Sequence, residues 1–148
     1  MILVIGYGNP LCGDDGVGPY AVEHLADEGP PSGVEYLTLR QLTPELAEPI
    51  SRADTVIFID AADDGISGAI SCRNLKPLAR PSETAPGAFT HHVKAGILLE
   101  NARFLYGRQP TAWLYTVAGE NFNLGDSFSP AVELALPSLL DQLKARIA

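Results

Sequence analysis

Apolar residues fall along this chain in two alternating rhythms, short continuous runs and longer stretches with apolar positions every third or fourth residue. Ile2-Leu3-Val4-Ile5 is a continuous run and predicts a buried strand. Val17, Tyr20, Ala21 and His24-Leu25 then recur at helical spacing and predict a helix from about Gly16 to Asp27. Gly29-Pro30-Pro31-Ser32-Gly33 breaks it. Val34 to Leu39 alternates weakly, as a second strand does. Thr43-Pro44-Glu45-Leu46 opens a short helix, with Thr as cap and Pro at the first position, and Pro49 interrupts its interior. Thr55-Val56-Ile57-Phe58-Ile59 is almost wholly apolar and β-branched. Such a run suits a central parallel strand covered on both faces, and here it ends in Asp60.

The second half repeats the rhythm. Ala69 to Arg73 is a short edge strand. Lys76 to Ala88 is rich in Pro, Ser and Gly and is expected to be an irregular surface loop. Val93, Ala95-Gly96, Leu98-Leu99 and Ala102 give a helix running to about Tyr106, with Thr90 as its cap and His91-His92 at its mouth. Trp113 to Val117 is the last strand. Ser129-Pro130 then starts a final helix with an apolar stripe of Val132, Leu136, Leu139-Leu140 and Leu143, and Pro137 inside it predicts a kink. Strands alternating with helices predict an α/β fold, a three-layer α/β/α sandwich on a mainly parallel sheet of about five strands. No internal repeat is visible, so residues 1–148 form one expected domain.

Composition narrows the function. Hydrophobic residues make up 46% of the 148, enough for a packed core, and the net charge is −8. Nucleic-acid binders carry a basic footprint, so that class is excluded. The two cysteines, Cys12 and Cys72, form neither a CxxC pair nor a zinc spacing and read as reduced thiols. No cleavable leader and no apolar run of transmembrane length is visible, so the expected location is the cytoplasm, away from membranes.

Candidate chemistry concentrates in the turn between the first strand and the first helix, Gly6-Tyr7-Gly8-Asn9-Pro10-Leu11-Cys12-Gly13-Asp14-Asp15-Gly16-Val17-Gly18. Open α/β folds bind ligands in such turns. The dinucleotide pattern fails because Leu11 stands where its third glycine belongs. Two adjacent acids would repel a phosphate, so the loop suits a cation or acid/base work. Either Asp14 or Asp15 is a plausible helix cap, which leaves the other facing the cleft. Cys12 lies in the same loop, but a thiolate nucleophile needs a basic neighbour and none is near it in sequence. Asp60 sits where functional groups lie in these folds and equally suits a turn residue. The imidazoles at the helix mouth are kept neutral by the helix dipole, or are simply a surface pair. Asp15, Asp60 and His91 each fall just after a strand or at a helix mouth. Two carboxylates and an imidazole suit a borderline divalent ion.

The opening motif, from Gly8-Asn9-Pro10-Leu11 through Gly13-Asp14-Asp15-Gly16 to Gly18, resembles the amino-terminal signature of the hydrogenase maturation proteases. The likeness continues through Val56 to Asp60-Ala61, through Thr90-His91-His92 with the Leu98-Leu99 helix, and through Gly125 and Phe128-Ser129-Pro130, so it covers nearly the whole length. The resemblance implies an endopeptidase that removes the C-terminal extension of an immature [NiFe] hydrogenase large subunit. It implies that Asp15, Asp60 and His91 are both catalytic residues and metal ligands. His91 is preferred to His92 because it keeps the family spacing to the following apolar helix. The metal implied is nickel presented by the substrate, for which other divalent ions can substitute. The implied partner is the precursor, with a monomeric protease. Asp15 and Asp60 both remain open as the base that activates water. The alternative is a non-catalytic checkpoint module that docks on the nickel centre while another protein cuts. One departure stands out: many family members carry an acid after the second strand, in a loop associated with substrate, where this chain has Arg40-Gln41-Leu42. That predicts a different tail preference.

Overall fold

The protein is described by a computed structural model at residues 1–78 and 91–148, the side chains of His91 and His92 excepted. The Thr90 cap and most of the Lys76–Ala88 stretch lie outside the described residues.

Five strands form one sheet: β1 (Ile2–Tyr7), β2 (Val34–Leu39), β3 (Thr55–Ala62), β4 (Ile70–Leu75) and β5 (Thr111–Ala118). Their order is β2-β1-β3-β5-β4. All neighbours run parallel except β4, which is an antiparallel edge strand. The four helices are α1 (Val17–Asp27), α2 (Ala47–Ser51), α3 (His91–Tyr106) and α4 (Pro130–Ile147). Among the described residues, no helix is long and apolar enough to cross a membrane.

Strand alternation sorts the core into two layers. Val4, Ile57, Ile59, Tyr115 and Val117 point to one face and pack with α1 and α4. Leu3, Ile5, Tyr7, Val56, Phe58 and Leu114 point to the other and pack with α2 and α3. The expected three-layer sandwich is therefore the observed architecture.

The apolar rhythm locates every element, with differences at the ends. β3 continues two residues beyond Asp60 because β5 still pairs with it, Ala61 with Val117 and Ala62 with Ala118. The short second helix divides into a 3-10 turn, Pro44–Leu46, followed by α2. Pro137 sits inside α4 without ending it. The first helix begins one residue later than expected, after a 3-10 turn at Gly13–Gly16.

Two glycines bring α1 directly onto the sheet. A Cβ on Gly18 would lie 2.8 Å from the backbone nitrogen and oxygen of Tyr7 and closer still to the carbonyl oxygen of Ile59. Across the same contact, a Cβ on Gly6 would overlap the carbonyl of Gly18. Backbone atoms of two paired strands cannot step aside cheaply. Gly18→Val is therefore expected to destabilise the fold by roughly 3 kcal/mol, the upper end for overpacking. Thermal unfolding measures this, and a melting temperature equal to that of the wild type would refute the contact.

Candidate functional site

The strand order defines the site. The chain leaves β1 for β2 on one side, whereas β3 lies on the other, so the sheet has a topological switch point between β1 and β3. The loops that follow β1 and β3 open at the carboxyl edge there. Asp15 belongs to the loop after β1 and Asp60 lies near the carboxyl end of β3, so the two candidate carboxylates follow or end neighbouring strands at the switch point.

The two adjacent acids of the β1 loop have different tasks. Asp14 is completely buried. Its Oδ2 accepts from the backbone N–H of Glu120 at 2.8 Å, the N–H of Asn121 at 3.0 Å and the Ser129 hydroxyl at 2.8 Å. Its Oδ1 accepts from the Ser129 N–H at 2.8 Å. Burial alone would raise the Asp14 pKa. The hydrogen bonds from Asn121, Glu120 and Ser129 outweigh it and hold the carboxyl below its ordinary range. Backbone bonds reinforce this clasp between the β1 loop and the β5–α4 loop: Gly13 N–H to Gly125 O at 2.8 Å, Gly125 N–H to Leu11 O at 2.7 Å and Asp14 N–H to Asn121 O at 2.8 Å.

The capping expectation is corrected here. Neither acid caps α1, whose first turn is preceded by Gly16 with no side-chain bond. Ser129 precedes α4 as expected but makes no cap bond, because its hydroxyl is directed to Asp14. The sequence signal for the clasp was the pairing of a buried-loop acid with the Ser129-Pro130 helix start, which local capping rules assign separately.

Asp15 remains half-exposed. Its Oδ2 accepts from the Asn9 N–H at 2.6 Å, which folds the carboxylate back over the end of β1. Gly8 makes room for this turn. Its φ is +141°, and a Cβ there would overlap the carbonyl oxygen of Asp15 and stand 3.3 Å from its Oδ1. Only glycine fits both constraints.

Asp60 is 6% exposed, and its Oδ1 accepts from the Ala61 N–H at 2.8 Å. By alternation it shares the face of Val56 and Phe58, the face covered by α2 and α3. α3 begins at His91 and packs on that face, so its mouth belongs to the same layer as Asp60. The His91 side chain lies outside the described residues. Among the described residues, no three His, Cys, Asp or Glu side chains form a cluster able to hold a metal ion. Asp15 and Asp60 thus supply two carboxylates at the carboxyl edge of the sheet.

Tyr7 was missed by sequence reasoning. It is 7% exposed at the end of β1, and its ring meets Phe58 edge-on at 6.5 Å between centroids. Its hydroxyl is buried and makes no hydrogen bond of good geometry among the described residues. Such a group costs about 1–3 kcal/mol. Burial first, and then the nearby charge of Asp60, push the phenol pKa well above its ordinary value. The alternation of Leu3, Ile5 and Tyr7 was a signal for its inward direction.

Cys12 and Cys72 are both free thiols, as expected. Cys12 is half-buried and bridges to Gly125 within the clasp. His24 lies on α1, 3.6 Å from Glu28, as a helix-surface residue.

No protein-family profile matches the chain, and no curated protein does. Solved structures match over nearly its full length. The hydrogenase maturating endopeptidase HybD from E. coli is 25% identical, with a TM-score of 0.79 over 99% of this chain and 91% of that one. An endopeptidase from Escherichia coli solved in solution is 26% identical, with a TM-score of 0.77 over 97% of this chain and 90% of the other. The hydrogenase 2 maturation peptidase from a Thaumarchaeota archaeon is 24% identical, with a TM-score of 0.71 over 99% and 97%, a likeness of fold.

Proposed function

We propose that the chain is a hydrogenase maturation protease, the endopeptidase that removes the C-terminal extension of a nickel-loaded [NiFe] hydrogenase large-subunit precursor, as its likeness to hydrogenase maturation endopeptidases of solved structure supports. In this reading Asp15, Asp60 and His91 contact the nickel carried by the precursor and so test whether metal insertion is finished. The observation that carries the reading is the placement of Asp15, in the loop after β1, and Asp60, near the carboxyl end of the neighbouring parallel strand β3, at the switch point of the sheet.

The donor chemistry suits this task. Carboxylate and imidazole are acceptable to a borderline divalent ion such as nickel, and other divalent ions can occupy the same donors. Three protein donors leave coordination positions for those of the precursor. Peptide hydrolysis further needs a group that takes a proton from the attacking water. Asp15 or Asp60 serves as that base, since each is a carboxylate at the same edge. The Asp14 carboxylate is excluded from the chemistry because both its oxygens are engaged by the β5–α4 loop. The protease works on a soluble partner in the cytoplasm as a monomer, and Arg40-Gln41-Leu42 after β2 gives it a tail preference of its own.

The test is the intact mass of a large-subunit precursor incubated with the protein, with and without nickel loaded. Loss of a C-terminal peptide from the nickel-loaded precursor alone is the expected result. Binding without mass loss would replace the protease by a checkpoint module.

A further inference from the structure

We propose that Leu11 and Leu124 form an apolar docking element for the C-terminal extension of the precursor, a segment with an apolar residue flanked by Lys or Arg. The proposal rests on the reading that the chain acts on a hydrogenase large-subunit precursor.

The two leucines lie far apart in the chain and are neighbours in space. Cys12 and Gly125 pair in an isolated parallel bridge, and each leucine directly precedes one of the partners. The Leu11 carbonyl oxygen accepts from the Gly125 N–H at 2.7 Å, which places the two positions side by side. Leu11 is 50% exposed and Leu124 is 88% exposed. Their backbones are nevertheless fixed. The Leu11 N–H donates to the Asn9 side-chain oxygen at 2.9 Å, and the Asn123 N–H donates to that of Asn121 at 3.0 Å. The buried Asp14 carboxylate ties the two loops together.

Packing does not account for this pair. A leucine left mostly in water contributes little burial to the fold, and a lone surface leucine needs no explanation. Two on adjacent, hydrogen-bonded loops are different, because they present neighbouring apolar surface on backbone that is already ordered. Side chains presented this way lose little conformational freedom when a partner covers them. Position assigns the partner. Leu11 lies in the same turn as Asp15, whose N–H donates to the Cys12 carbonyl oxygen at 3.2 Å. A precursor chain whose cleavage point is brought to Asp15 therefore passes beside the pair. Charge assigns the chemistry. The loops after β1, β3 and β5, residues 8–16, 63–69 and 119–129, contain Asp14, Asp15, Asp63, Asp64, Glu120 and Asp126 and no Lys or Arg. An acidic extension would be repelled there, whereas Lys or Arg beside an apolar residue meets the opposite charge.

The experiment measures KM, kcat and Kd for nickel-loaded precursor, with Kd repeated on a large subunit whose extension has been deleted. One double variant is Leu11→Ser with Leu124→Ser, and a second is Glu120→Gln with Asp126→Asn. Phe104→Ser is the control, since Phe104 is 78% exposed in the last turn of α3, at the end that leads into β5. The leucine variant should melt as the wild type does, because both positions are exposed and the backbone bonds remain. It should raise KM and Kd by at least about tenfold, the effect of leaving one leucine side chain uncovered, with the loss in KM rather than kcat. Its Kd for the extension-deleted subunit should equal that of the wild type. The Glu120 and Asp126 variant should associate several-fold more slowly at low salt. Phe104→Ser should match the wild type throughout. Wild-type KM and Kd in the leucine variant, with the tail still removed by the wild type, would overturn the docking element and leave the proposed function standing. An equal loss of affinity for the extension-deleted subunit would overturn the extension as the occupant. An unchanged association rate in the Glu120 and Asp126 variant would overturn its basic character. A wild-type protein that neither binds nor cleaves the precursor would overturn the proposed function, and this proposal with it.

Discussion

Asp15→Asn is expected to leave a protein that folds as the wild type does and removes the tail of a nickel-loaded precursor at least roughly 100-fold more slowly, a loss of about 2.7 kcal/mol in the transition state. The fold should survive because the bond this carboxylate makes within its own turn is an acceptor bond. The Asn9 N–H donates to Oδ2 at 2.6 Å, and the amide oxygen of asparagine accepts in its place. Asparagine has the same size as the partly exposed aspartate, so the turn need not repack. What disappears is a negative charge at the switch point, which a proton acceptor requires and which strengthens a metal contact. The measurement is precursor mass against time, beside a thermal melt. Undiminished tail removal would sink the role of Asp15.

The neighbouring acid should behave in the opposite way. Asp14→Ala is expected to lose about 3–5 kcal/mol of stability, because it removes the acceptor of three backbone N–H groups, that of Ser129 buried and those of Glu120 and Asn121 partly so, and leaves a void. For a chain of this length that is roughly 10 °C or more in melting temperature. The defect is one of folding, so whatever fraction of Asp14→Ala remains folded should still process precursor. Asp14 also predicts a pH dependence. Its folded pKa lies below the ordinary value, so its stabilisation is complete above the unfolded pKa of about 3.9 and is lost as pH falls through the lowered folded value. Wild-type stability should therefore decline below about pH 4, and Asp14→Asn should flatten that part of the curve. Denaturant titration between pH 2.5 and 6 measures both. An Asp14→Asn curve that declines as steeply as that of the wild type would contradict the clasp.

One substitution thus removes chemistry and its immediate neighbour removes stability, although the two residues are chemically identical. Nothing in the local pattern separates them. Gly13-Asp14-Asp15-Gly16 offers two short acids before a helix, and capping rules serve either one. The division arises because a loop more than a hundred positions away, Glu120 to Ser129, closes over the first acid and supplies it with donors.

Periodicity by itself determined the order of the elements, the apolar strands and the helical stripes, since the alternation of two and the spacing of 3.6 are local geometric constraints written in neighbouring residues. It also determined that Asp15 follows a strand and that Asp60 lies at the carboxyl end of an apolar run, the general location of ligand sites in such sheets. Tertiary structure alone decided which strands become neighbours, and so that β1 and β3 bring those acids to one edge while β4 turns antiparallel. It decided the clasp on Asp14 and the placement of the Tyr7 hydroxyl beside Asp60. These depend on hydrogen bonds and burial between residues far apart in the chain, and the free energy of such contacts exists only once the sheet has assembled.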